Sequence, residues 1–497
     1  MITKTEPKII ENYLQDASLL KGKASGLILP ESTRDISGIL EQASRKREPM
    51  TVSGNRTGLT GAAVPEGGQI LATDQLNRIQ TIEAGFAVIE PGVTLEELQR
   101  ETAKRHLMYP PDPGERKAFL GGNAATNASG PRAFKYGATR QWIRRLEVVL
   151  PTGEAISVRR GQWKADRLGQ IQFLTKSGKE KKISLPRKYT LNQKLTKNSA
   201  GYFIYPEMDL IDLFIGAEGT LGVVTEIEVG LIPAPPHVLA LVIFFRDEKD
   251  AWMFVREIKT ISLANRFAKQ AGQLEARAIE YFDCRSLQLI RPDYPHIPKH
   301  AQAAILIEQE YMDESDERTL MNLWYEIGRR FNSLASETWV ANSEELREEF
   351  REFRHALPAK VNAWLRTHNQ IKISTDMAVP SHTLFTLLDF QQHALAKEGL
   401  SYVTFGHIGD SHLHLNIMPK NDEERKRAKA LYWDLMRLVN RLGGTISAEH
   451  GIGKLKREYF AEMVGREALQ EMAALKKALD PSCILNRGNI VAEDFLV

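Results

Sequence analysis

Apolar and polar positions near the N-terminus set out a strand–helix–strand unit. Leu27 to Leu29 form a short apolar run, and Ser32 and Thr33 offer side-chain oxygens to cap a helix. Ile36, Ile39, Leu40 and Ala43 then recur at the spacing of one helical face, and Pro49 to Val52 return as a strand. Further short strands are predicted at Gln69 to Ala72, Ala87 to Glu90 and Leu146 to Leu150. The stretch Leu231 to Val238 concentrates prolines between strand-like runs, and proline's fixed φ and missing N–H make this a natural boundary. Beyond it, strands at Leu239 to Phe245 and Ala303 to Glu308 mix with helices around Ala251 to Ile261 and Asn342 to Leu357. The last helix opens on an Asn342/Glu345 capping pattern and buries Leu346, Phe350, Phe353 and Leu357. Both halves therefore read as α+β.

At 497 residues the chain exceeds one ordinary core and calls for two or three folding units. A net charge of only +3 lacks the basic footprint of a nucleic-acid binder, so a small-molecule partner is expected. Cys284 and Cys483 lie too far apart for a disulfide framework or an iron–sulfur cluster, which fits a cytoplasmic protein. The start, MITKTEPKIIENYLQ, has no signal-peptide core, and no window is apolar enough to span a membrane. No fixed-period repeat is visible. Residues 159 to 197 form a strongly basic excursion, from Arg159 and Arg160 to Lys194 and Lys197, against Asp166 and Glu180 alone. Its plain reading is a solvated, exposed hairpin, and its sharper one a docking patch for anionic lipid, a peripheral membrane contact, or an acidic partner.

Two stretches carry candidate chemistry. VSGNRTGLTGAAVPEGG, Val52 to Gly68, follows a strand, and its glycines let backbone N–H groups converge on a diphosphate. The spacing Gly54, Gly58, Gly61 is neither GxGxxG nor a P-loop. In FGHIGDSHLHLNIMP, Phe405 to Pro419, strand alternation sends Leu413, Leu415 and Ile417 to one face and His412, His414 and Asn416 to the other, with His407 across a turn. GGTISAEHGIGKLK adds Glu449 and His450 before glycines that permit a bend. These side chains suit a divalent metal, and serve equally well as surface or satisfied core histidines.

The order of motifs decides between these readings. PPDPG at Pro110 to Gly114, GGNAATNASG at Gly121 to Gly130, KYG at Lys135 to Gly137, LEVVLPTGE at Leu146 to Glu154 and IGAEGTLGVVTE from Ile215 stand in the order found in flavoproteins of the vanillyl-alcohol oxidase class. The chain resembles in particular that class's FAD-linked 2-hydroxy-acid dehydrogenases. The resemblance implies a two-lobed, α+β FAD-binding domain over 1–235 carrying the basic insertion, an α+β substrate cap over 236–455, and a segment, 456–497, that returns to the flavin. It assigns FAD contacts to Gly54, Asn55, Arg56, Thr57, Gly58, Leu59 and Thr60, to Pro91, Pro111 and Asp112, and to Gly121, Gly122, Asn123, Asn127 and Gly130. Glu218, Gly219, Gly222 and Val223 follow, with Asn486 of the terminal DPSCILNRGNI. Asn123, Asn127 and Ser129 offer neutral hydrogen-bonding groups to a flavin ring. No histidine lies between Met50 and Gly68, so the FAD is expected to be non-covalent.

The same resemblance, to D-lactate and D-2-hydroxyglutarate dehydrogenases, implies His407, His414 and Glu449 as ligands of zinc or manganese and His450 as the base. Ser411-His412 replaces the usual Gly-Asn, so His412 either adds a ligand or fills the asparagine's place. Arg354 matches the residue that holds the substrate carboxylate, while a family lysine falls at Ser374, with Lys372 as its substitute. Oxidation of D-lactate or glycolate follows, with electrons leaving to an external quinone, cytochrome, electron-transfer flavoprotein or partner subunit. The alternatives are a flavin subunit of a larger complex and a non-redox enzyme like alkylglycerone-phosphate synthase.

Overall fold

The computed structural model describes residues 2–192, 194–268 and 272–496. Strands Gly26–Leu29, Gln69–Ala72 and Met50–Ser53 run parallel, with Ile2–Lys4 antiparallel at one edge. Ser32 caps the helix Thr33–Lys46 by accepting from the Asp35 N–H, and Ile36, Leu40 and Ala43 pack onto Met50 and Leu71. A second, antiparallel sheet joins Ile79–Glu83, Phe86–Ile89, Val223–Gly230, Ile143–Val149 and Ala155–Arg159. The C-terminal stretch returns to the first sheet: Met50 N–H donates to the Ile484 carbonyl and Asn486 N–H to the Met50 carbonyl, both at 2.9 Å.

Past the prolines, His237–Phe245, Ala303–Tyr311, Ala276–Asp283, Tyr402–Gly406 and His412–Ile417 build the largest sheet. It is buried on both faces. Leu239, Leu241, Ile243 and Phe245 enter the main core with Trp324 and Phe254, whereas Ala240, Val242 and Phe244 meet Phe350, Phe353 and Leu357 in a second core. That double burial explains an uninterrupted apolar run in an antiparallel strand. The described residues contain no helix long and apolar enough to cross a membrane.

Two expectations need correction. The helix expected at Asn342 to Leu357 is Glu344–Thr367, capped by Ser343 and not by Asn342, whose amide reaches Glu317. It continues through Pro358 because Val361 and Leu365 are buried beyond it. The basic excursion, in which Gln193 lies outside the described residues, exposes most of its cations as expected but is not solvated throughout. Its hairpin, Gln170–Leu174 with Glu180–Ser184, packs Ile171, Phe173 and Ile183 into the main core. Arg159 pairs with Glu228 at 2.7 Å, Arg160 with Asp212 at 3.0 Å, Lys176 with Glu147 at 2.9 Å and Lys179 with Glu154 at 2.9 Å. Lys197, at its end, is wholly buried.

Candidate active site

Strand Tyr402–Gly406 delivers His407 into a short turn, Ile408–Asp410, and Ser411 at φ 55° redirects the chain into His412–Ile417. Alternation along that strand sends Leu413, Leu415 and Ile417 into the main core and brings His412 and His414 back beside His407. Glu449 and His450 approach from a loop held at both ends by buried carboxylates. Asp376 accepts the N–H groups of Glu449 (3.2 Å) and His450 (2.9 Å), and Glu218 accepts those of Ile452 (2.6 Å) and Gly453 (2.7 Å). Positive φ at Gly451 (75°) and Gly453 (51°) provides the bend that lets adjacent Glu449 and His450 face one pocket.

Ligand atoms of His407, His412, His414 and Glu449 lie within 4.8 Å of one another, and so do those of Asp376, Glu449 and His450. His407 Nδ1 is 2.6 Å from Glu280 Oε1 and its Nε2 3.3 Å from Glu449 Oε1, while His414 Nε2 is 3.8 Å from Glu449 Oε2. Burial pushes the Glu449 carboxyl up, but His407, Lys197 and His412 together hold it well below the usual range. Burial lowers His450 and, helped by His412, lowers His414 further, so both rings are neutral near pH 7. His412 is fully buried, yet neither of its ring nitrogens makes a hydrogen bond among the described residues. Unsatisfied imidazole nitrogens beside an ionised carboxylate are a donor set that a divalent cation fits.

Arg354 reaches this cluster indirectly. Glu280 and Phe282 lie on the sheet face that Glu344–Thr367 covers, where Phe353 packs on Phe282 and Arg354 Nε donates to Glu280 Oε2 at 2.7 Å. Its Nη groups donate to no described residue. Burial raises Glu280, but Arg354 and His407 outweigh it and hold its carboxyl at about 2. Ser374 stands opposite Asn416, and Lys372, two residues before it, has no partner among the described residues and an amine pushed down by burial.

The residues assigned to flavin divide into those facing open space and those spent on the protein. Asn55, Arg56, Thr57, Gly58 and Leu59 line a partly exposed loop, with Asn55 on the Lys117 carbonyl and Arg56 stacked 4.2 Å over Tyr13. A Cβ on Gly122 would meet nothing within 4 Å, and Asn123 Nδ2 is buried without a hydrogen-bond partner among the described residues. An open wall with an unsatisfied amide fits a polar planar ligand. In contrast, a Cβ on Gly121 would strike Pro91 at 2.5 Å and one on Gly130 the Asp112 carbonyl at 1.9 Å. Gly219 and Gly222 are likewise filled, by Asn486 and Val148, and Val223 belongs to the core under the first helix. These glycines permit close chain-to-chain packing.

Several polar groups expected at the flavin also bind the protein itself. Asn127 Oδ1 accepts the Arg140 N–H, Asp112 pairs with Arg132 at 3.4 Å beside Pro111, and Ser129 Oγ donates to Glu449 Oε1 at 2.8 Å. Asn486 accepts from Val52 N and donates to the Glu218 carbonyl, both at 2.7 Å. Thr60 joins the halves: its hydroxyl donates to the His450 carbonyl and its own carbonyl accepts from Lys454 and Leu455.

Four residues at the cluster escaped sequence reasoning. Lys197 Nζ lies 2.5 Å from Glu449 Oε1, 3.0 Å from the Gly130 carbonyl and 3.4 Å from Asp410 Oδ2. Its signal was masked by the basic run around it. Glu280 had a legible one, a single acid inside the apolar strand AIEYF. Asp376, two residues beyond Ser374, and Asp410, in the turn after His407, carried no signal of their own.

Residues 240–490 match the C-terminal domain model of FAD linked oxidases, and residues 24–159 an FAD binding domain. The chain is 30% identical to a D-lactate dehydrogenase of Anaerostipes hadrus, over 97% of this chain and 93% of that one. It is 32% identical to glycolate oxidase subunit GlcD of Bacillus subtilis (strain 168), over 94% and 89%. Among solved structures, p-cresol methylhydroxylase superposes with a TM-score of 0.70 at 15% identity, covering 99% of this chain and 94% of that one, which shows a shared fold.

Proposed function

This chain belongs to the FAD-linked oxidases, and we propose that it oxidises a small 2-hydroxy acid, D-lactate or glycolate, to the 2-oxo acid. The observation that carries the reading is the meeting of His407, His414 and Glu449, proposed as ligands of a divalent metal, with a neutral His450 in one buried pocket. The relatives named D-lactate dehydrogenase and glycolate oxidase subunit support the substrate class.

When bound, FAD supplies a hydride acceptor and the metal a Lewis acid toward the substrate hydroxyl. The chain supplies the rest. His450 Nδ1 lies 3.3 Å from Asp376 Oδ2, which orients the ring and leaves Nε2 to take the hydroxyl proton. Asp376 accepts the Glu449 and His450 N–H groups and the Lys456 ammonium at 2.7 Å, which favour its ionised form, so it stabilises the imidazolium that forms. Arg354, anchored through Nε, offers its Nη groups to the substrate carboxylate, with Lys372 as a second cation. Asn123, Gly122 and the loop from Gly54 to Thr60 hold the flavin without a covalent bond. In this reading residues 1–235 carry the flavin, 236–455 cover the substrate, and 456–497 lock the first loop. Electrons then leave to an external acceptor, and the protein works in the cytoplasm. A relative named as a subunit favours, as a second reading, operation inside a larger complex.

Anaerobic mixing of the FAD-loaded protein with a panel of 2-hydroxy acids tests the proposal. Loss of flavin absorbance is expected with D-lactate or glycolate, and no bleaching with any member of the panel sinks it. His450→Ala should keep its FAD and lose bleaching. Wild-type bleaching rates in that variant would remove His450 from the reaction.

A further inference from the structure

We infer that His412 is a fourth protein ligand, so that the centre is built from three imidazoles and one carboxylate; this rests on the metal reading above. His407 turns Nδ1 outward to Glu280 Oε1 at 2.6 Å and presents Nε2 to Glu449 at 3.3 Å. His414 turns Nδ1 outward to the Thr375 carbonyl at 3.4 Å and presents Nε2 to Glu449 at 3.8 Å. His412 repeats the arrangement with its nitrogens exchanged: Nε2 lies 3.1 Å from Asp376 Oδ1, and Nδ1 faces Glu449 Oε1 at 4.0 Å. Each ring thus has an acceptor behind it and an inner nitrogen directed at the same carboxylate. Histidine ligands are oriented in this way, by an outer carboxylate or carbonyl that sets the tautomer.

A space-filling role does not account for His412. It is 0% exposed, and its inner nitrogen, Nδ1, makes no hydrogen bond among the described residues, which for a buried polar ring is costly unless another group satisfies it. Lys197 is the competing cation, 2.5 Å from Glu449 Oε1. Its ammonium has two other acceptors, the Gly130 carbonyl and Asp410, whose carboxylate oxygens carry no hydrogen bond among the described residues. Lys197 can therefore stay paired while the inner nitrogens and Glu449 bind an ion. A third imidazole makes the set nitrogen-rich, and imidazole suits zinc among other divalent transition metals.

The test uses the FAD-loaded enzyme, stripped with a chelator and reloaded with zinc sulfate. X-ray absorption at the zinc edge should count three imidazoles in the wild type and two in His412→Asn. Competition with a chelating dye should show zinc affinity falling at least roughly 10-fold in His412→Asn and His412→Gln, with FAD content unchanged. Two imidazoles in the wild type, or unchanged zinc affinity in both variants, overturns the inference and leaves His407, His414 and Glu449 as ligands. An FAD-replete enzyme that bleaches with substrate yet binds neither zinc nor manganese overturns the metal reading itself. The wild-type count depends on no variant, so a misfolded substitution leaves the test intact.

Discussion

Glu280 carries more of the site than any residue whose type announces catalysis. It is 2% exposed and accepts from His407 Nδ1 on one oxygen and Arg354 Nε on the other. The amide in Glu280→Gln has one accepting oxygen and one donating NH2, so either His407 or Arg354 must face a donor. The variant is expected to bind zinc roughly 10–100-fold more weakly, as loss of an outer partner of a metal ligand does, while keeping its FAD. Chelator competition measures this, and wild-type affinity would show that His407 needs no carboxylate behind it. At this scale the sequence was legible where residue type names chemistry, as at His407, His414, Glu449 and His450. It was opaque where a neighbour assigns the role. Asn127 and Ser129 have the composition of flavin ligands, yet their partners, Arg140 and Glu449, lie 13 and 320 positions away.

Among elements, apolar runs were read with good bounds because burial writes itself as period. His237–Phe245 is an example, with its residues shared alternately between two cores. The helix Glu344–Thr367 overran its expected end because proline's local cost, about 3 kcal/mol, is offset by burial of Val361 and Leu365 past it. The basic hairpin was harder to read, since its countercharges lie on other elements far along the chain. Glu154 shows the consequence: burial raises its carboxyl, but hydrogen bonds from Lys181, Lys179 and Thr152 bring it down to about 2 from an ordinary 4.5. A folded value depressed in this way adds stability above about pH 4.5 that is lost as pH falls toward 2. Glu154→Gln should therefore melt below wild type at pH 7, with the difference shrinking through pH 4 and closing near pH 2. A difference independent of pH would mean that packing, not charge, holds the hairpin to its neighbours.

Across the whole molecule, the glycine-rich loop after Val52 and the histidine cluster form one structure whose joints are side-chain hydrogen bonds. Thr60 grips the loop after His450, Lys197 bridges Gly130 to Glu449, and Glu218 cradles Ile452 and Gly453. Motif order implied two halves, but no local pattern encodes a lysine in a basic run closing onto a carboxylate 252 positions later. Asn486 is the strictest joint. Its Oδ1 takes the Val52 N–H at the root of the first flavin loop, and its Nδ2 donates to the carbonyl of Glu218, whose carboxylate holds the loop carrying His450. Asn486→Ala leaves the Val52 N–H unsatisfied, at a cost of roughly 1–3 kcal/mol, and leaves the Glu218 carbonyl only the longer 3.4 Å bond from Asn489 Nδ2, so both loops loosen together. Asn486→Asp keeps the acceptor for Val52 but sets a carboxylate against the Glu218 carbonyl, so it should be no better than alanine. Both variants are expected to release FAD at a lower temperature than wild type, followed by the rise of free-flavin fluorescence on heating. FAD release at the wild-type temperature in both would show that the C-terminal segment lies beside the flavin loop without supporting it.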